Sequence, residues 1–277
     1  MLEGMRAYSL NDVHATRKRR DSWWTVFVVD PVACRLTLLV ANHTAITPNG
    51  LTRLSLVLGM VSAVCFAFGQ LVAGAALFYV SFMVDCMDGK IARLKETGTA
   101  FGLWLDYVGD RIRVVCCAIG LAFGQYMATG DVAYIMLGAG VAVLDLFRYV
   151  NAPQMKRVRE VVRENRPEPP AKIGPVPPRE PRDPLVPRAP RSLTLRRRLS
   201  RFLTRHRVRT HLISGIEFHA AVFVVAPLIG VAALLPVSIA AGALLLLNEV
   251  FLIYRMWLFT RAVPAAPRSE NAQRVPV

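Results

Sequence analysis

Residues 71–110 read LVAGAALFYVSFMVDCMDGKIARLKETGTAFGLWLDYVGD. An apolar run opens this stretch, a polar turn near Gly98 interrupts it, and a second apolar run begins at Phe101 and continues to Met127. A helix needs about 20 mostly apolar residues to cross the hydrocarbon core of a bilayer. Both runs meet that length, so the stretch predicts two consecutive membrane-spanning helices.

The composition of the whole chain agrees with a membrane protein. Of its 277 residues, 54% are hydrophobic and 19% are charged, yet the formal net charge is +15. Residues 151–210 hold 17 Lys or Arg against 5 Asp or Glu, a local net charge of +12, together with 11 of the 18 prolines. Most of the excess positive charge thus lies in residues 151–210. A soluble protein of this length would carry more charged residues in the rest of its chain. No cleavable signal peptide is expected, because the first twenty residues are polar and basic.

Six stretches are long and apolar enough to span: 51–70, 71–94, 101–127, 132–150, 213–235 and 236–258. The predicted fold is therefore an all-α integral membrane protein with six transmembrane helices, and the last two spans divide at Pro236. Ahead of them, residues 22–42 are interrupted by Asp30, Pro31 and Arg35, which indicates an amphipathic segment in the membrane interface. A soluble cap packed on the helix bundle is the alternative interpretation.

The chain divides accordingly into an N-terminal and interfacial part (1–50), spans one to four (51–150), a Pro/Arg-rich insert (151–210), spans five and six (211–260) and a tail (261–277). Lys and Arg flank the spans on one side only, so both termini, the insert and the active site are expected in the cytoplasm. Residues 153–190 have too many prolines for a helix. The basic segment 191–209 is expected to form a short helix on anionic lipid.

Four carboxylates occupy the second and third spans, where acidic residues are costly and usually functional. Asp85 and Asp88 are three residues apart, and Asp106 and Asp110 are four apart, so each pair faces one side of its helix. Counted from the turn at Gly98, the two pairs lie at similar depth. Four converging carboxylates would repel one another, and two divalent cations would neutralise them.

The neighbouring residues suit phosphate chemistry. Carboxylate oxygens favour Mg²⁺ or Mn²⁺ as the bound cation. Arg93 lies one turn beyond Gly89 and is placed to pair with a phosphate group. Divalent cations, a phosphate-binding arginine and a spare carboxylate together indicate phosphoryl transfer.

The motif Asp85-x2-Asp88-Gly89-x2-Ala92-Arg93-x8-Gly102-x3-Asp106-x3-Asp110 resembles the complete signature of the CDP-alcohol phosphotransferase family, class I. The resemblance implies a metal-dependent transferase that moves a phosphoalcohol group from a CDP-alcohol donor to an acceptor hydroxyl and releases CMP. It implies that all four aspartates bind two metal ions and that Asp110 is also the general base. Gly89, Ala92, Arg93 and Gly102 would line the CDP pocket. The long basic insert departs from the compact family members.

Polar residues of the fourth and fifth spans are candidates for acceptor binding. Asp145 and Arg148 of the fourth span and Glu217 and His219 of the fifth lie in the predicted cytoplasmic half, near the aspartates. Arg111, directly after the last aspartate, resembles family members that use inositol-type phosphates. Interhelical pairs that fix the bundle are the alternative interpretation of the residues in spans four and five. Glu249 in the sixth span has no evident partner in the sequence and is interpreted as structural.

Two other functional classes compete with the enzyme. Intramembrane acids also mark the pathways of transporters, and an Arg-rich insert is typical of a membrane-anchored protein that binds nucleic acid. Neither class explains the motif on two facing helices, so no nucleic-acid partner is expected. Among enzymes, a phospholipid product is favoured over a soluble phosphodiester made from a CDP-polyol. Anionic lipid is the expected partner of the insert, and a homodimer is left open.

Overall fold

The computed structural model describes residues 7–164, 202–203, 205–209 and 214–261, and these are almost entirely helical. Helix α1 spans Leu10–Ala15, and a π-helical turn at Thr25–Val29 continues into α2, Asp30–His43. The long helices that follow are α3 (Pro48–Ala67), α4 (Leu71–Leu94), α5 (Ala100–Thr129) and α6 (Ala133–Glu164). The last described part holds α7 (Gly215–Ala220), a π-helical turn (Ala221–Val225), α8 (Ala226–Ile229) and α9 (Val231–Arg261).

Short polar motifs fix the ends of the helices that carry the aspartates. The Thr99 side chain accepts a hydrogen bond from the backbone N–H of Gly102 and thereby caps the start of α5. Helix α5 ends at Thr129, and Gly130 follows it with a φ of 69°, in the left-handed region that glycine adopts without strain. Helix α4 ends at Leu94 and α5 begins at Ala100, so the turn between them is short, as expected from the sequence, and both helices pack on α3.

Helices α3, α4 and α5 pack into one unit through small residues. Gly120 and Gly124 of α5 lie directly against the backbone of α3 at Ala63 and Phe66, where any added Cβ would overlap the α3 carbonyl groups. Close approach of this kind is typical of helices that associate within a membrane. Phe78 of α4 then contacts Phe223, with ring centroids 4.8 Å apart, and joins this unit to the last helices.

The prediction of an all-α, multi-pass membrane protein is confirmed. Six helices among the described residues are long and apolar enough to cross a bilayer: Thr25–His43, Pro48–Ala67, Leu71–Leu94, Ala100–Thr129, Ala133–Glu164 and Val231–Arg261. The number of helices matches the prediction, but at both ends of the chain the helices are not the segments that were predicted to span.

The N-terminal difference concerns the stretch expected to lie in the interface. Thr25–His43 has 19 residues and a mean hydropathy of 1.5, which suffices for a span. Asp30, Pro31 and Arg35, which interrupt the apolar run, were the reason to expect an interfacial segment. In the structure Asp30 is buried and its carboxylate lies 2.9 Å from the Lys90 ammonium, so the charge is compensated inside the protein.

The C-terminal difference concerns the break between the last two predicted spans. The division predicted at Pro236 is wrong, since Pro236 lies inside α9 and the chain breaks at Gly230, with a φ of 123°. Pro236 is the sixth residue of α9 and removes one backbone hydrogen bond without ending the helix, whereas the positive φ at the break favours glycine. The apolar helix that precedes the break, Gly215–Ile229, is consequently shorter than a span.

Helix α6 also departs from the prediction. It continues through Pro153 to Glu164, although residues from 153 onward were expected to be non-helical. The remainder of that expectation, residues 165–190, lies outside the described residues, as does most of the basic segment 191–209. The described residues 205–209 contact the N-terminal part instead: Asp21 and Val208 form an isolated β-bridge, and Arg207 pairs with Asp30 at 3.7 Å.

Candidate metal centre and active-site cavity

Three of the four motif aspartates converge where α4 faces α5. One carboxylate oxygen each from Asp85, Asp88 and Asp106 lies within 4.8 Å of the others. The i,i+3 spacing brings Asp85 and Asp88 to one face of α4, and the hairpin turn brings Asp106 to the same depth. Three carboxylates at this separation are a suitable ligand set for a hard divalent cation.

Hydroxyl groups from α3 orient two of these carboxylates. The Thr52 hydroxyl donates a hydrogen bond to Asp88, and the Ser55 hydroxyl donates one to Oδ1 of Asp85 at 3.2 Å. Hydrogen bonds from outside the ligand set fix the direction of metal-binding carboxylates and are costly to remove. The metal-site prediction had taken no residue from α3.

Asp110 has a different environment from the other three aspartates. Its Oδ1 atom pairs with the Arg113 guanidinium, and its Oδ2 atom lies 3.8 Å from Nη2 of Arg111. Arg113 also reaches Asp85, with 3.4 Å between Nη1 and Oδ1. Asp110 thus lies beside the cluster, and a buried arginine links the two. Sequence analysis missed Arg113, although it follows Asp110 by three residues and so shares its helix face.

The aspartates line a cavity of about 750 Å³ bounded by α4, α5, α6, the N-terminal segment and the start of α7. Both signs of charge are abundant in its wall, with nine Lys or Arg and seven Asp among the described residues. The cations are Arg17, Lys18, Lys90, Arg93, Arg111, Arg113, Arg148, Lys156 and Arg209. Such a cavity can hold a cation at one end and a multiply charged anion beside it.

Comparison with known proteins identifies this arrangement. Residues 45–174 match the model of the CDP-alcohol phosphatidyltransferase family. The matched segment contains α3, α4 and α5, the whole carboxylate cluster and its hydroxyl partners.

The chain carries a CDP-alcohol phosphatidyltransferase domain.

Individual relatives of the domain are named as a synthase and a phosphatidyltransferase. The chain is 31% identical over 96 residues to the archaetidylinositol phosphate synthase of Methanothermobacter thermautotrophicus, covering 35% of this chain and 49% of the relative. It is 32% identical over 142 residues to the CDP-diacylglycerol–serine O-phosphatidyltransferase of Helicobacter pylori, covering 49% and 54%. The chain thus spans about half the length of these curated relatives.

A solved structure is also similar to this chain. It is that of the phosphatidylinositol phosphate synthase of Mycobacterium tuberculosis with CDP-DAG bound. The match has 20% identity and a TM-score of 0.44, and it covers 90% of this chain and 99% of the other.

Of the four residues predicted to contact CDP in the phosphatidyltransferase domain, two line the cavity and two lie elsewhere. Gly89 and Arg93 line the cavity, and the Arg93 Nε atom donates a 2.7 Å hydrogen bond to the backbone carbonyl of Thr16. Gly102 packs against Asn49 and Thr99 at the mouth of the α4–α5 hairpin, where a Cβ would crowd both side chains. Ala92 is half-buried on α4.

Three of the predicted acceptor residues, Arg111, Arg148 and His219, belong to two buried charge networks. Asp145 of α6 is 1% exposed and its Oδ1 atom accepts hydrogen bonds from Arg111 and from Nε2 of His219, the latter at 2.7 Å. Arg111, Arg148 and His219 all line the cavity. Arg148 pairs with Glu249 of α9, which supplies the partner that the sequence did not reveal.

Glu217 contacts the start of α7 and the N-terminal segment. Its Oε2 atom accepts hydrogen bonds from the backbone and the hydroxyl of Ser214 in a capping box. Its Oε1 atom accepts one from the backbone N–H of Trp23, at 3.1 Å. These contacts tie the N-terminal segment to α7 and thereby position His219, which follows two residues further along the chain.

Proposed function

We propose that this protein transfers a phosphoalcohol group from a CDP-alcohol to an acceptor hydroxyl and releases CMP. The observation that carries the proposal is the cluster of Asp85, Asp88 and Asp106, within 4.8 Å of one another, in the wall of a cavity rich in Lys and Arg. The match of residues 45–174 to the phosphatidyltransferase family supports it, as do the names of the relatives, a synthase and a phosphatidyltransferase.

Two divalent cations, Mg²⁺ or Mn²⁺, are the cofactors of this proposal. The ligand set fits, because it consists of carboxylate oxygens only and one of them, on Asp88, belongs to a side chain that is 6% exposed. When bound, divalent cations neutralise charge on a diphosphate and on the departing CMP. Asp85, Asp88 and Asp106 would hold them, and Asp110 would complete the set.

The protein's own groups account for the remaining chemistry. Gly89 leaves room beside Arg93, and the Arg93 guanidinium pairs with the diphosphate of the CDP-alcohol. The Asp110 carboxylate takes the proton of the acceptor hydroxyl. The freed oxygen then forms a bond to the β-phosphorus while the bond from that phosphorus to the CMP oxygen breaks. Arg111 lies 3.8 Å from Asp110 and lines the cavity beside it.

The acceptor side of the cavity lies between α5, α6 and α7. Arg111, Arg148 and His219 present cationic and polar atoms there, which suits an acceptor with phosphate or polyol groups. Glu217 contributes by fixing the start of α7 that carries His219. A lipid product is preferred over a soluble phosphodiester, because the cavity lies among helices that span the membrane.

Orientation and partners complete the proposal. Both termini and the cavity face the cytoplasm, as the distribution of Lys and Arg outside the spans favours. The basic insert interacts with anionic lipid through its net charge of +12. A homodimer is compatible with this arrangement.

The experiment is a product analysis of the full chain in lipid nanodiscs. The protein is offered a panel of CDP-alcohols and hydroxyl acceptors with Mg²⁺ or Mn²⁺, and mass spectrometry identifies CMP and the new phosphodiester. We expect CMP for at least one pair, loss of CMP with a chelator, and its return when metal is restored. Metal-dependent ion flux without CMP from any pair would instead establish a transporter.

A further inference from the structure

Arg113 is a buried cation in contact with the candidate metal centre. It lies on α5 in the membrane-spanning part, and the residue is 3% exposed. Its Nη2 atom pairs with Asp110, and its Nη1 atom lies 3.4 Å from Oδ1 of Asp85. One guanidinium therefore bridges two carboxylates of the motif, one from each helix of the hairpin.

The surrounding residues are arranged to accept this side chain. The Nη1 atom donates hydrogen bonds to the hydroxyls of Ser55 at 2.7 Å and Ser81 at 3.2 Å. The stem of Arg113 passes over Gly59 of α3, where an added Cβ would lie 2.6 Å from Cγ and 2.7 Å from Cδ of the arginine. Contacts from α3, α4 and α5 thus converge on one guanidinium, so its position is fixed by packing on three helices.

The charge of Arg113 has a consequence for cation binding at the cluster. A buried carboxylate pair is costly without compensation, and the guanidinium supplies it when no other cation is bound. A fixed positive charge a few ångströms away also repels an incoming divalent ion. The same group therefore stabilises the metal-free cluster and opposes tight metal binding.

We propose that Arg113 is a positioning residue that acts as an internal counter-cation for Asp85 and Asp110 and weakens the affinity of the cluster for divalent cations. The inference rests on the proposed metal site. It gives the centre a defined geometry without metal, because the two carboxylates keep their directions through the guanidinium. It also keeps the affinity of the cluster low enough for a bound divalent cation to exchange with cations in solution.

A second buried arginine offers a matched comparison. Arg148 lines the same cavity and pairs with Glu249, a residue outside the motif. If any buried arginine of the cavity influenced metal binding through long-range charge or through general stability, Arg148 would act like Arg113. A specific effect of Arg113 requires contact with the cluster carboxylates.

The test measures Mn²⁺ binding to the full chain in nanodiscs, without nucleotide, by electron paramagnetic resonance of free Mn²⁺. For Arg113→Gln we expect the Mn²⁺ Kd to fall by at least about tenfold, because a neutral amide no longer repels the ion. Arg113→Lys keeps the charge and should stay within about threefold of the wild type, as should Arg148→Gln. If Arg113→Gln is unfolded without metal, Mn²⁺ should restore its melting transition.

The outcomes separate this inference from the proposed function. A wild-type protein that binds no Mn²⁺ would refute the metal site itself. Wild-type binding with an unchanged or weaker affinity in Arg113→Gln would overturn the role of Arg113 alone. That role would also be overturned if Arg113→Lys bound Mn²⁺ about tenfold tighter, or if Mn²⁺ did not restore an unfolded Arg113→Gln protein.

Discussion

At the scale of single residues, spacing along the chain predicted the carboxylate cluster but not the residues that hydrogen-bond to it. Asp85, Asp88 and Asp106 could be found because i,i+3 spacing and a short hairpin place carboxylates on facing helices. Thr52 could not be found in the same way, because its hydroxyl contacts Asp88 from another helix, α3. The spacing within one helix does not tell which face of α3 packs against it. Contacts between distant segments depend on packing, which periodicity does not encode.

Loss of charge in the cluster should abolish turnover. Asp88→Asn and Asp106→Asn keep the side-chain shape but remove a metal-binding charge. We expect each to lower the rate of CMP release by at least about 100-fold, the scale of losing a group that stabilises transition-state charge. Asp131→Asn is the matched control, since Asp131 is exposed in the turn before α6 and only caps the Ala133 N–H. Near-normal rates in either cluster variant would contradict the site.

The Thr52 hydroxyl should tune metal affinity without changing the fold. Thr52→Val retains the shape of the side chain and removes the hydrogen bond to Asp88. Loss of such a contact behind a metal ligand costs about 10- to 100-fold in metal affinity or activity. We expect the Mg²⁺ concentration for half-maximal CMP release to rise accordingly. Thr37→Val, which removes a bond to the Ala33 carbonyl in α2, should leave it unchanged.

At the scale of helices, hydropathy predicted the core of the bundle and failed where charge or backbone conformation decided the outcome. The spans that became α3, α4 and α5 have long apolar runs and clear polar turns, so their existence was evident. The break between the last helices was misplaced, because proline is the more visible interruption, while the positive φ of Gly230 is a property of the folded chain. The Arg148–Glu249 contact joins α6 to α9 across 101 positions, too far for sequence spacing to indicate.

That contact should behave as a buried pair between helices. Arg148→Met leaves the Glu249 carboxylate, 3% exposed, without its cation, and we expect a loss of about 3 kcal/mol in unfolding free energy. Glu249→Gln should cost less, since Arg148 is partly exposed. The double variant should be more stable than Arg148→Met alone. Detergent-induced unfolding in mixed micelles measures all three. Simple additivity would mean that the pair contributes no coupling energy.

At the scale of the whole molecule, the basic insert has two parts with different expected roles. Residues 205–209 lie against the N-terminal segment, where the Asp21 N–H donates to the Arg207 carbonyl at 2.8 Å and Arg209 lines the cavity. Residues 167–190 lie outside the described residues, and their composition indicates no packed core. From the sequence the basic segment 191–209 was expected to lie on anionic lipid, since net charge does not reveal which residues return to the bundle.

Deletions should separate these two parts. Removal of residues 167–190 should leave melting temperature and CMP release nearly unchanged. Removal of residues 205–209 should lower both, because it breaks the bridge to Asp21 and the 3.7 Å pair between Arg207 and Asp30. Loss of CMP release from a folded protein that lacks only 167–190 would place that stretch in the active site.

The length of α6 has a consequence for how substrates reach the protein. Its 32 residues give a rod of about 48 Å, against a hydrocarbon core of about 30 Å. The end of α6 therefore stands in water, and its Pro153 and Lys156 line the same cavity as Asp85 of the spanning part. The lining of the cavity thus extends from the membrane-spanning part of the protein to the end of α6. For a lipid-linked CDP-alcohol and a soluble acceptor, the rate should follow the mole fraction of the first within the membrane and the bulk molarity of the second. Dilution with inert lipid at constant volume would distinguish these two dependences. It lowers the mole fraction of the lipid-linked CDP-alcohol, and thereby the rate, but leaves the molarity of the soluble acceptor unchanged.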